Sequence, residues 1–404
     1  MKKLMKVLGG LLVVLVVVFG VAYMFRMPVV TFMLDTFALS DEFVGVTTDG
    51  TPREGLYRVA ATGVSTEPVR AAAAAFLASL DEDLRRATEF PLEHKEWRRW
   101  ANIHLYQRRG AGILDMTQAQ KAAGYELLES ALSPRGYAQV RDIMRLDTTL
   151  KEMADGDHQW YGEERFWFTV MGQPHASDPW GWQIDGHHLV INYFVLGDQV
   201  VMSPVFLGAE PVIATSGVHE GVAVLQAEQD AGLAFLLSLS EEHRAQAVIS
   251  ETKSSGETHG ELFSDNAIVP YQGLNAGRLD ADDQRALLAL AELFIGHMSA
   301  GHAEIKMVEV ASHLDETYFT WIGGATDRST YYYRIQSPVV MIEFDHQGPI
   351  GLSHLTEDQG PQRNHIHVTI RTPNGNDYGK DLLRQHLRDH EASHARLDMT
   401  SSGS

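Results

Sequence analysis

Apolar positions recur every three or four residues from about 67 to 153, and the chain then changes to strand-like alternation. An alanine-rich helix is expected from Glu67-Pro68 to about Thr88, then helices over roughly 117–131 and 137–153, separated by Ser133-Pro134-Arg135-Gly136. Glu164 to Met171 is aromatic and β-branched. Stretches 188–196 and 199–206 alternate on either side of Gly197-Asp198, which reads as a hairpin turn. Helical spacing returns over about 220–239, 241–250, 282–298 and 301–313. A last strand-rich block covers about 316–322, 329–336, 338–345 and 364–371, and a final helix over about 378–392 carries Leu382, Leu383 and Leu387. Two strand blocks set between helical blocks predict an α+β fold: one large domain with a mixed or antiparallel sheet flanked by helices. No internal repeat is visible.

The N-terminus changes this picture. Lys2, Lys3 and Lys6 precede an apolar run from Val7 to Phe25 that carries no charge. Such a run comes close to the roughly 20 residues a bilayer-spanning helix needs. Tyr23, Met24, Phe25 and Met27 stand where a cleavable signal would place small residues. The expectation is an uncleaved signal anchor over 1–26 with a cytoplasmic N-terminus, the bulk of the chain being extracytoplasmic, periplasmic or extracellular. A tether and irregular lead-in follows over 27–66, then the domain over 67–392 and a short polar tail, read as disordered, over 393–404.

Composition narrows the chemistry. The 404 residues are 44% hydrophobic and carry a formal charge of −20, which argues against nucleic acid as a partner. The absence of cysteine removes disulfides, thiolate ligands and a cysteine nucleophile. No Gly-x-Ser-x-Gly elbow, phosphate-cradling loop or dinucleotide fingerprint occurs.

Histidine carries the remaining signal. In Asn364-His365-Ile366-His367-Val368-Thr369-Ile370-Arg371 the strand period puts His365 and His367 on one face, about 7 Å apart along the strand. His187 and His188 open another predicted strand and would then point to opposite faces. Glu343 ends the apolar run Val339-Val340-Met341-Ile342 and shares a face with Asp345, whereas His346 points away. A carboxylate there needs a partner: a salt bridge to Arg334 or Arg371, a metal, or a proton as a general base of raised pKa. Trp180, Trp182 and Tyr193 read as core or as a pocket wall. His390-Glu391-Ala392-Ser393-His394 fits a zinc-protease pattern, but it lies on a helix fading into the tail. Pro373-Asn374-Gly375-Asn376-Asp377 reads as a turn, with Asp377 capping the last helix.

Several segments, in order, resemble a bacterial and fungal family known as domain of unknown function 3500. They are Pro179-Trp180-Gly181-Trp182, Gly186-His187-His188-Leu189, Pro204-Val205-Phe206-Leu207-Gly208-Ala209, Tyr332-Tyr333-Arg334-Ile335-Gln336, Ile342-Glu343-Phe344-Asp345 and Asn364-His365-Ile366-His367, continuing through Arg371 to Gly379. The resemblance spans roughly 67–390 and implies one continuous domain with no agreed activity. It leaves the His390–His394 pattern outside the shared region.

The expected function is that of a membrane-anchored, extracytoplasmic, metal-dependent enzyme, hydrolytic or oxidative, acting on a small-molecule substrate. His365, His367 and His187 or His188 would be ligands to Zn or Fe, with Cu possible. Glu343 would be a further ligand or base, and Arg334 or Arg371 would hold an anionic group. The alternative is a non-catalytic ligand-binding or sensor module that uses the same side chains.

Overall fold

The computed structural model describes residues 26–156 and 158–389. The run Val7–Phe25, the His390–His394 pattern and the polar tail lie outside them. No helix among the described residues is long and apolar enough to cross a membrane.

Twelve strands form one mixed sheet. They are β1 (Glu89–Phe90), β2 (Ala111–Gly112), β3 (Phe166–Met171), β4 (Trp180–Gly186), β5 (Leu189–Leu196), β6 (Gln199–Ala209), β7 (Val248–Ser250), β8 (Leu274–Asn275), β9 (Tyr318–Gly323), β10 (Tyr331–Gln336), β11 (Met341–His346) and β12 (Ile366–Arg371). Their order is β1-β3-β4-β5-β6-β12-β11-β10-β9-β7, with β2 also on β3 and β8 also on β9. Every pairing is antiparallel except β1 with β3 and β7 with β9. The fold is thus a single α+β domain with helices against a mixed sheet.

Alternation gives the sheet two unlike faces. One carries the cross-strand rows Leu207–Val368–Phe344–Tyr333–Trp321 and Val205–Ile370–Ile342–Ile335–Phe319, all in the main core. Helices Glu67–Ser79, Gln118–Ala131, Gln226–Ser238 and Ala281–Ile295 close over this face through contacts such as Phe76 on Phe168 and Phe235 on Phe319. The other face carries Phe206–Thr369–Glu343–Arg334–Thr320 and Gly208–His367–Asp345–Tyr332. Irregular segments cover it, and their backbone groups are satisfied by those buried side chains. Glu343 accepts from the backbone N–H groups of His259 and Gly260, and Asp345 accepts from that of Glu257. Arg371 donates to the Gly260 carbonyl.

The sheet order reads the same outward from the β6/β12 pair in both directions, so the chain is a structural duplication. In each half a helix pair leads to a short strand parallel to the outer meander strand, then to an antiparallel one. Two more helices and a four-stranded meander follow. Equivalent glycines carry equivalent constraints. Gly110 and Gly273 have φ of +97° and +85°, and a Cβ on either would fall 2.1 or 2.2 Å from the carbonyl oxygen of Phe168 or Phe319. Phe76-Leu77-Ala78-Ser79-Leu80-Asp81-Glu82 matches Phe235-Leu236-Leu237-Ser238-Leu239-Ser240-Glu241 at the same place in each half. The expectation of no internal repeat is corrected: topology and a few local signatures persist where most side chains differ.

Other expectations shift locally. The helix expected over 67–88 is broken after Ser79, because the Asp81 carboxylate caps a second helix, Glu82–Thr88. Part of the lead-in is helical (Arg26–Ala38), held by Asp35 on Arg99 and by Thr31 on the Gln107 N–H. The rest is irregular but docked, with Thr47 bonded to Ala267 and Val269. Strand β4 was not expected at all. The last helix is described over 380–389.

Candidate metal centre

His187 and His188 occupy the two-residue turn between β4 and β5 rather than a strand. Strand alternation therefore does not apply, and the two rings lie side by side with centroids 3.8 Å apart. This corrects the expectation that they point to opposite faces. The antiparallel pairing of β6 with β12 brings His365 and His367 to the same place, so that His188 lies 5.5 and 5.7 Å from their ring centroids. Gly208 on β6 makes room: a Cβ there would come within 3.1 Å of the His188 ring and 3.2 Å of the His367 ring. Two overlapping donor groups result, His188/His365/His367 and Asp147/His187/His188. In each, the ligand atoms lie within 4.8 Å of one another, and all these residues are buried.

Hydrogen bonds fix the ring orientations. His365 Nδ1 lies 2.6 Å from the Gly348 carbonyl oxygen, and His367 Nδ1 lies 2.6 Å from Glu261 Oε1. A carbonyl only accepts, so His365 must carry its proton on Nδ1. At Glu261 burial alone would raise the pKa. The charge of His367 and hydrogen bonds from His367, Thr258 and Asn102 outweigh it and leave the pKa lowered, so the carboxylate is ionised and also accepts. If each ring carries only that proton, both Nε2 atoms present lone pairs, and they face each other at 3.0 Å. Two such lone pairs repel unless a cation or a proton lies between them. Either ring would need little movement to share an ion, since tetrahedral bonds of about 2.1 Å hold two nitrogens about 3.4 Å apart.

His188 adds a second sign. It is 2% exposed, and among the described residues neither ring nitrogen makes a hydrogen bond. Burial first, then the neighbouring histidines, holds the pKa of His188 well below the ordinary value, and burial followed by His367 does the same for His365. Both rings are thus neutral at neutral pH, the form that binds metal. The donor set fits a divalent ion: imidazoles facing inward, with a carboxylate and a carbonyl behind them.

Next to this group, Asp147 holds His187, its Oδ1 3.1 Å from His187 Nδ1 and its Oδ2 accepting from the Gly162 N–H. Tyr161 and His104 flank the His187 ring at centroid distances of 5.1 and 5.7 Å. Glu210 holds the loop that supplies Gly348 by accepting from the N–H groups of Ile350, Gly351 and Leu352.

The three residues expected to be catalytic are not brought to the histidines. Both Glu343 oxygens are taken by His259 N–H, Gly260 N–H, Tyr332 Oη–H and Thr369 Oγ1–H. Arg334 donates to Tyr332 Oη and the Pro270 carbonyl, and Arg371 pairs with Asp265 and Asp377. Neither arginine forms the salt bridge to Glu343 that the sequence offered. Asp345 pairs with Lys253 at 2.5 Å, both fully buried. Asp377 receives the Thr372 N–H and Arg371.

Sequence reasoning missed Asp147, Glu261, Glu210 and His104. Asp147 had a readable signal, being an acid in the buried stripe Val140, Ile143, Met144, Leu150 of helix Pro134–Met153. Glu261 and His104 sit in irregular segments where no period marks them. The duplication also creates a counterpart hollow at the β10–β11 turn and the start of β6, a cavity of about 130 Å³ lined by residues such as Val340, Met202, Ile370 and Lys306. It holds no imidazole cluster; its one lining histidine, His302, is bonded to Ser299 and the Asp198 carbonyl.

A family model described as "Protein of unknown function (DUF3500)" matches residues 62–380, and the chain belongs to that family. No curated protein and no solved structure matches it.

Proposed function

We propose that this chain is a metal-dependent enzyme whose ion is held by His188, His365 and His367. The reading rests on the two Nε2 atoms facing each other at 3.0 Å, each ring locked by a partner on its far side. Three imidazole ligands suit Zn²⁺, whereas Fe²⁺ sites usually add a carboxylate ligand. Asp147 or Glu210 would have to swing inward to supply one. A bound Zn²⁺ would polarise a substrate oxygen. His187, with Asp147 on its Nδ1–H, keeps an Nε2 able to accept a proton during turnover.

The same proposal places the enzyme at a membrane, anchored through Val7–Phe25 and extracytoplasmic. Lys2, Lys3 and Lys6 ahead of that run support this orientation. The exposed Val29, Phe32, Met33 and Phe37 on helix Arg26–Ala38 favour a place beside the membrane surface.

Elemental analysis tests the centre. The full chain, purified without chelator, should carry about one equivalent of metal, and a folded His365→Ala/His367→Ala double variant should carry none. A folded parent that stays metal-free after incubation with Zn²⁺, Fe²⁺ and Cu²⁺ would overturn the proposal.

A further inference from the structure

A cavity of about 90 Å³ opens on the His187 side of the cluster. His104, Arg108, Trp160, Arg165, Trp167 and His187 line it, and no carboxylate is among its lining residues. The two arginines differ. Arg108 is 3.0 Å from Asp185, with both side chains at most 5% exposed, and it also donates to the carbonyls of Tyr106, Ile103 and Ala101. Its charge is compensated, and both its terminal nitrogens are engaged by those carbonyls. Arg165 is half-buried, with its guanidinium 5.7 Å from the Trp160 ring centroid. No carboxylate lies within ion-pair distance of it among the described residues. Among the described residues the cavity lining thus combines one fork-shaped cation that has no carboxylate partner with the Asp147-held imidazole of His187.

We infer that this cavity is the substrate pocket of the proposed enzyme and that it takes an oxyanion, the carboxylate or phosphate of a small substrate, on Arg165. The inference rests on the metal-centre reading for its chemistry but on separate residues for its binding. A guanidinium offers parallel N–H donors matched to two oxygens of either group, and the indole faces favour a planar cation stacked beside them. Size sets the class. A cavity of 150 Å³ admits benzene, so about 90 Å³ admits three to five heavy atoms, an acetate- or phosphate-sized group. A substrate held there by its oxyanion would place its next atoms at His187, against the metal group.

Isothermal titration of the metal-loaded full chain tests this, with inorganic phosphate in one arm and propionate in the other. Saturable binding is expected in at least one arm, weakened at least about tenfold in Arg165→Gln while metal content is unchanged. The arm that binds identifies the oxyanion. No binding in either arm overturns the inference, as does equal binding by parent and Arg165→Gln, which would place the anion elsewhere, on the ion itself for instance. The two proposals fail separately. Arg165-dependent binding in a chain shown to hold no metal removes the metal centre and keeps the pocket. A metal-loaded chain indifferent to Arg165→Gln keeps the centre and removes the pocket.

Discussion

Replacing Glu261 by Gln isolates what the carboxylate behind His367 contributes. Glu261 Oε1 accepts from His367 Nδ1 at 2.6 Å, and Oε2 accepts from Asn102 Nδ2 at 3.0 Å. Glutamine keeps the shape and can keep an oxygen toward His367, but its amide nitrogen then faces Asn102. That conflict has a local solution, because Asn102 Oδ1 is buried and without a hydrogen bond, so turning the Asn102 amide over supplies the needed acceptor. The variant should therefore fold, having lost one negative charge and little else. Removing such a partner from a metal-bound histidine weakens binding by about 10- to 100-fold, which is about 1.4 to 2.7 kcal/mol. Competition against a chromophoric chelator at pH 7.5 reads this ratio directly. Equal affinities in parent and variant would refute the role given to Glu261. The rival account puts a proton rather than an ion between the two Nε2 atoms. It predicts no metal in the parent and a loss of about 3 to 5 kcal/mol of stability in Glu261→Gln, because a buried imidazolium would lose its counter-charge.

Gly208→Ala should weaken metal binding by at least about tenfold, since its Cβ would crowd the His188 and His367 rings at 3.1 and 3.2 Å as well as the Ile366 carbonyl at 3.0 Å; unchanged chelator competition in the folded variant would mean that the rings are not seated as described. Glu343→Gln should leave metal content unaltered yet lower stability in urea by about 3 kcal/mol, because two backbone and two hydroxyl donors lose an ionised acceptor; the reverse pattern would return Glu343 to the site. The pH profile of metal affinity should be shallow. Protons compete with the ion as pH falls, but His188 and His365, whose pKa values are depressed by burial, compete only far below 6.5. Between pH 6.5 and 5 the slope of log Kd should thus be no steeper than about one per pH unit. A slope near three would show that all three histidines titrate as exposed ones do.

The elements the sequence revealed are those with a clean period. Strands β3, β5, β6 and β9 to β12 alternate or are β-branched, and helices 118–131 and 281–295 carry apolar stripes. Strand β4 escaped although Trp180, Trp182 and Ile184 alternate with Gly181, Gln183 and Asp185, because its glycines and Asp185 are residue types depleted in strands. Gly186-His187-His188 was legible as important but not as a turn, and a reading by strand parity then separated two rings that a turn brings together. At Glu343 the sequence required a partner for a carboxylate ending an apolar run, which is correct. It could not say that the partners would be two backbone N–H groups and two hydroxyls rather than a metal or an arginine, because those donors come from segments over 20 residues away in either direction or from an adjacent strand.

The duplication separates what the fold provides from what the side chains provide. Each half offers a hollow where a meander turn, two residues long in one half and four in the other, meets the β6/β12 pair. At one hollow the turn is His187-His188, with His365 just before β12 and His367 the second residue of that strand. At the other the turn runs Ser337-Pro338-Val339-Val340, and β6 begins Gln199-Val200. Donor atoms gather only at the first, together with Asp147 and Glu261 behind them. A fold-stabilising origin for the histidines would predict like residues at both places, because the packing problem is the same. On the proposed reading, the asymmetry arises because the histidine hollow answers a chemical requirement the fold does not impose. Transplanting Ser337-Pro338 onto His187-His188 should then leave the sheet standing and remove the metal, and collapse of the fold in that variant would count against this reasoning.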